Sequence, residues 1–261
     1  MFKKIVITLM TLLLLSCVTS PTGRKQLLLM PADQVDTMGV EAFNTLKQET
    51  PLETNYSVNR YVTCVANAII QVSNSPVKDW EIAVFRDESA NAFALPGGKI
   101  GVHTGLLKVA EDQNQLAAVI GHEIAHVLAN HSNERVSQEY AVQQGIELIQ
   151  AVTNVQTQTG RTMMGLLGVG AQFGILLPYS RTHESEADTF GLNLMAAAGF
   201  DPRASITLWQ NMERANDSQP PEFLSTHPSH NTRINDLQNA MNNALSLFQQ
   251  AQAGGRMLRC Q

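Results

Sequence analysis

The pentapeptide His122-Glu123-Ile124-Ala125-His126, set at the end of the apolar run Leu116-Ala117-Ala118-Val119-Ile120-Gly121, constrains this chain more than any other feature. The run predicts a buried helix. Four residues advance a helix by about 400°, so His122 and His126 point the same way, about 6 Å apart. Two imidazoles so placed can grip one Zn²⁺. Glu123, about 100° round from His122, is poorly placed for the same metal but well placed to take a proton from a water that the metal activates. An amphipathic helix with two ordinary core histidines would bury Glu123 for no return.

A catalytic zinc site needs a third protein ligand. The positions three and six beyond His126 hold Ala129 and Ser132, not the Gly and His of the extended metzincin pattern. His131 lies about 140° round the helix from His126 if that helix continues, so it reads as facing elsewhere, at a helix C-terminus or behind the ligands. Glu184 is the better candidate. It shares a helix face with Asp188, so one carboxylate can bind zinc while the other receives the far N–H of a ligating histidine and fixes its tautomer. Glu186, about 200° away from Glu184, is expected in solvent, and His183, about 100° away, is a weaker competitor for the metal. Taken alone, this acidic cluster is as well explained by an exposed helix N-terminus.

The N-terminus reads as an export signal. Lys3 and Lys4 precede an apolar stretch from Ile5 to Leu15, too short to span a bilayer as a mature helix. Leu14-Leu15-Ser16-Cys17 resembles a bacterial lipobox, which makes 1–16 a signal peptide and Cys17 an acylated first residue. Val18 follows, where an Asp would favour inner-membrane retention, so attachment to the periplasmic face of the outer membrane is expected. Lipidation of Cys17 leaves Cys64 and Cys260 as one pair in an oxidising compartment, and a disulfide between them is expected. The formal charge of −5 and the absence of a basic run longer than two residues exclude a nucleic-acid partner.

Residues 17–31 read as a lipid-anchored tether, 32–250 as a single domain and 251–261 as a tail. Within the domain, Asp33 is the expected cap of a helix ending near Gln48, and a second helix is expected from Tyr56 to Ser73. The period then changes to two over Trp80–Phe85. Ala92–Leu95 and Lys99–Val102 flank Pro96-Gly97-Gly98 as a hairpin. Helical patterns resume from Asp112 to near residue 250. An α+β domain, mainly helical with a small sheet above the active-site helix, is the economical reading. Residues 163–177 are apolar and glycine-bearing but too short to span hydrocarbon, and read as a buried helix.

The chain resembles metallopeptidase family forty-eight, the HtpX, BepA and LoiP type of gluzincin, which also includes the CAAX prenyl and mitochondrial OMA proteases. The resemblance is carried by Asn91-Ala92-Phe93-Ala94-Leu95-Pro96-Gly97-Gly98, by His122 to His126, by Ser180-Arg181 through Asp188, and by Thr226-His227-Pro228 with Arg233. It implies a zincin-like metalloprotease domain with one zinc per chain. It assigns His122, His126 and Glu184 as ligands, Glu123 as general base and Asp188 as their support. It also implies proteolysis of protein or peptide substrates, and a His227 that reaches the zinc as a fourth ligand and latch. The substrate would lie extended along the strand at Asn91, Ala92, Phe93 and Ala94. The expected function is a periplasmic zinc endopeptidase acting on misfolded or unassembled envelope proteins, with outer-membrane assembly factors as partners. The alternative is a chaperone-like binding factor for outer-membrane proteins with latent activity.

Overall fold

A computed structural model describes residues 17–153, 180–216, 223, 226–227, 233–256 and 259–260. The expected leader and the apolar stretch 163–177 lie outside the described residues. The fold is α+β and mainly helical. In chain order it comprises β1 (Cys17–Thr19), β2 (Lys25–Leu27), α1 (Ala32–Glu49), α2 (Tyr56–Val72), β3 (Glu81–Phe85), β4 (Ala92–Leu95), β5 (Lys99–His103) and a 3₁₀ turn at Thr104–Lys108. There follow α3 (Gln113–Leu128), α4 (His131–Thr153), α5 (Arg181–Ala197), α6 (Ala204–Asn216) and α7 (Arg233–Ala253). Among the described residues no helix is long and apolar enough to cross a membrane.

The central sheet has the order β3-β5-β4, with β3 and β5 parallel and β4 antiparallel to β5. Its side chains alternate between two cores, as the period of two requires. Val84, Ala92, Ala94, Ile100 and Val102 face the main core beside α3, whereas Phe85, Phe93 and Leu95 pack with Phe43 of α1. The hairpin turns on Gly97 and Gly98, both at φ +75°, a region that costs glycine little. The sheet thus presents β4 as an edge strand to α3.

Helix α3 begins where Asp112 accepts the backbone N–H groups of Asn114 and Gln115, each at 2.8 Å. It packs on α5 through two glycines: a Cβ on Gly191 would lie 2.7 Å from the backbone nitrogen of His122. Only glycine permits this approach, which draws the two motif-bearing helices together. Helix α1 opens on Pro31 without a side-chain cap, so Asp33 serves in its first turn, where its charge favours the dipole.

Two expectations for the termini are corrected. Residues 17–31 are no free tether, because β1 and β2 form an antiparallel hairpin docked on the domain. Its side chains carry the docking. Arg24 bridges Glu134 and Glu186, both at 2.6 Å, and Gln26 donates to the Ala129 carbonyl. The segment expected as a tail is in part structured: α7 runs on to Ala253, and the buried Cys260 forms the expected bond to Cys64 of α2, with Cα atoms 5.6 Å apart.

Candidate metal centre

His122 and His126 project from one face of α3, and Glu184 faces them from the first turn of α5. His227 closes the group from the connection preceding α7. One donor atom from each of these four buried residues lies within 4.8 Å of all the others. His126 Nε2 is 3.0 Å from His122 Nε2, which is 3.2 Å from His227 Nδ1. Glu184 Oε1 lies 3.1 Å from His227 Nδ1 and 3.5 Å from His126 Nε2.

These separations test whether zinc fits. A tetrahedron with metal–ligand bonds of about 2.0–2.1 Å has edges of about 3.4 Å, and the observed spacings scatter around that value. Three imidazole nitrogens and one carboxylate oxygen are also the donor types zinc takes, so the residues fit the ion.

The electrostatics favour a cation at the centre. Burial opposes a proton on His122, but hydrogen bonds with Asp188 and Glu184 outweigh it and raise its pKa to about 10. Burial carries His126 well below the ordinary histidine value. Burial would lift Glu184, yet the neighbouring His227, His122 and His126 hold it well below the carboxylate range. Burial raises Glu123, against the pull of His227 and His122.

Residues 57–241 match the sequence family "Peptidase family M48", a stretch that contains every donor just described. The chain belongs to peptidase family M48. Its relatives include the mitochondrial metalloendopeptidase OMA1 of Schizosaccharomyces pombe, 41% identical over 180 residues, covering 68% of this chain and 51% of that protein. Human metalloendopeptidase OMA1 is 33% identical over 242 residues, 87% of this chain and 46% of that protein. The beta-barrel assembly-enhancing protease of Yersinia pestis is 28% identical over 216 residues, 80% of this chain and 44% of that protein. The chain spans about half the length of these relatives.

Around the M48 centre, Asp188 Oδ1 stands 2.9 Å from His122 Nδ1, on the side of the ring away from the other donors. Glu123 Oε2 accepts the Ala94 N–H of β4 at 3.1 Å, and its Oε1 lies 3.3 Å from His227 Nε2. In the expected substrate strand, Asn91 accepts from the His103 N–H and Phe93 turns to the α1 side. The groups of Ala92 and Ala94 then point off the sheet edge, as antiparallel pairing alternates.

One sequence expectation fails within the M48 motifs. Glu186 is not in solvent: it is 6% exposed, bonded to Arg24 and Thr22 and 3.2 Å from His131. The docked hairpin covers the face of α5 that was taken as open. His131 stands behind the metal group, one of the two places expected for it, but not on a continuing helix, because α3 stops at Leu128 and Asn130 takes φ +53°. The chain reverses there, and the His131 ring returns to within hydrogen-bonding distance of His126. His183 lies outside the metal group, 3.1 Å from Glu134.

The sequence reading gave Arg233 no role. It is 1% exposed, and its guanidinium donates to Asp188 Oδ2 at 2.6 Å and to Glu184 Oε2 at 2.5 Å. It also stacks 3.8 Å over the Trp209 ring. Its place in the first turn of α7 gives no local signal of this clamp.

Proposed function

We propose that this chain is a zinc-dependent endopeptidase anchored at the periplasmic face of the outer membrane, where it hydrolyses misfolded or unassembled envelope proteins. The observation that carries the reading is the position of Glu123. Its carboxylate lies beside the four-donor group and is fixed by a backbone N–H of the sheet's edge strand, so base, metal residues and strand meet at one point. A structural zinc site has no use for such a base.

His122, His126 and Glu184 would hold the metal, and zinc in that place supplies the Lewis acidity that polarises a peptide carbonyl and makes water a nucleophile near neutral pH. Glu123 takes the proton from the attacking water and passes it to the leaving amine. Burial has lifted its affinity for that proton, which suits a group that must both accept and release it. Asp188 holds the His122 ring, and Arg233 holds Asp188 and Glu184. An extended substrate would add alongside β4 through main-chain hydrogen bonds, which make its recognition tolerant of sequence.

His227 occupies the remaining corner and reaches toward Glu123. Four protein donors make the closed geometry of a resting site, so cleavage requires His227 to withdraw. This contact also supports the second reading, a chaperone-like binding factor for outer-membrane proteins with latent proteolytic activity.

The location rests on the lipobox-like residues before Cys17 and gains support from the Cys64–Cys260 bond, which suits an oxidising compartment. One relative is named for beta-barrel assembly, which supports outer-membrane proteins as clients. The test is proteomics of new protein termini in the outer-membrane fraction, wild type against Glu123→Gln. Termini that vanish in the variant are expected. Identical sets of termini would overturn the assignment.

A further inference from the structure

The two histidines of α3 are supported from behind in different ways. His122 meets a carboxylate directly, through Asp188. Behind His126 stands another histidine: His126 Nδ1 and His131 Nδ1 are 2.9 Å apart, and His131 Nε2 is 3.2 Å from Glu186 Oε2. Glu186 in turn accepts from Arg24 Nε at 2.6 Å and from the Thr22 hydroxyl. His131 is fully buried and its ring stacks on that of His183, with centroids 4.5 Å apart.

Proton positions along this line are determined once His126 is a ligand. Its Nε2 faces the other donors, so Nε2 supplies the lone pair and Nδ1 must carry the hydrogen. His131 Nδ1 must then accept, which places the His131 hydrogen on Nε2, where it points at Glu186. Each bond dictates the direction of the next. The carboxylate at the far end rests on a residue of the N-terminal hairpin, more than a hundred positions away in sequence.

We infer that His131 is a positioning residue for the metal ligand His126, oriented by Glu186, and that the β1–β2 hairpin completes the metal site through Arg24. The inference rests on the zinc-site reading above. It adds that the segment directly after Cys17 is a working part of the centre. An acceptor behind a ligating histidine fixes its tautomer and raises its basicity, and losing one lowers metal affinity by about 10- to 100-fold.

The test measures zinc affinity by chelator competition, together with the visible absorption of the cobalt-substituted protein. His131→Leu fills similar space without an acceptor, whereas His131→Asn keeps an oxygen near the position of Nδ1. The leucine variant should bind zinc at least about 10-fold more weakly, with an altered cobalt spectrum. The asparagine variant should recover most of the affinity and the wild-type spectrum. Both are compared in variants whose zinc-free circular dichroism matches wild type. Should His131→Leu not fold, Glu186→Gln replaces it: its amide can donate to His131 Nε2, reversing the required proton order, and about a 10-fold loss is expected. Leucine or glutamine variants within twofold of wild type would overturn the inference, as would an asparagine variant as weak as leucine, which would make the role mere packing. A wild-type chain that binds no zinc would instead overturn the metal-site reading beneath it.

Discussion

Gly121 and Gly191 meet backbone to backbone: a Cβ on Gly121 would lie 2.9 Å from the Gly191 carbonyl oxygen, and one on Gly191 would lie 2.8 Å from the Gly121 carbonyl carbon. The contact sits one residue before His122, so it sets the distance between the ligands of α3 and the carboxylate of α5.

Gly191→Ala should therefore damage the site as well as the fold. The added methyl meets main-chain atoms that cannot rotate away, so the helices must part, at a cost of about 1–3 kcal/mol. Because the ligands are divided between these helices, zinc affinity should fall together with thermal stability. A variant that melts lower yet binds zinc as tightly as wild type would separate the helix contact from the site.

Arg233 donates to two buried carboxylates, Asp188 and Glu184, and its loss leaves them only the neighbouring histidines as partners. Arg233→Met should lower the stability of the zinc-free domain by about 3–5 kcal/mol in urea unfolding. Arg233→Lys should recover only part of this, because an ammonium lacks the planar fork that reaches Asp188 and Glu184 together. Equal stability of wild type and the methionine variant would remove the clamp from the account.

His183 predicts an acid-sensitive fold. Burial leads in depressing its pKa from 6.5 to about 4. Between those values the unfolded chain binds a proton that the folded chain refuses. Its contribution is therefore fully present above pH 6.5, declines as pH falls, and is lost by about pH 4. The loss is on the order of 3 kcal/mol. His183→Asn should flatten the fall in urea-unfolding free energy between pH 7 and pH 4.5. An unchanged slope would contradict the assignment.

His227→Ala should keep zinc and raise basal cleavage of an unfolded protein, or self-cleavage, because the three remaining ligands suffice and the closing contact is gone. Lower turnover with zinc retained would favour a different role, a hydrogen-bond donor to the developing oxyanion.

What the sequence made legible was local. The spacing from His122 to His126 and from Glu184 to Asp188 places side chains on one helix face whatever the rest of the chain does. The alternation of Trp80–Phe85 and the glycines after Pro96 likewise report their own geometry. What escaped depends on chain segments distant in sequence. Glu186 is buried because a hairpin over a hundred and fifty residues earlier docks on it, and no periodicity within α5 records that. His131 was expected at a helix C-terminus or behind the ligands; its contact with His126 depends on the left-handed backbone of Asn130, which no periodicity records. Arg233 is part of the pattern that carries the resemblance, but its partners appear only when Glu184 and Asp188 are brought against it.

The most direct measurement is the zinc content and peptide-bond turnover of purified Glu123→Gln beside wild type. Glutamine matches glutamate in shape but cannot take the proton, and the side chain is not among the four donors. The variant should hold about one zinc per chain, as wild type does, and lose at least about 100-fold in turnover. Loss of the metal, or cleavage at the wild-type rate, would contradict the role given to Glu123 and the proposed mechanism with it.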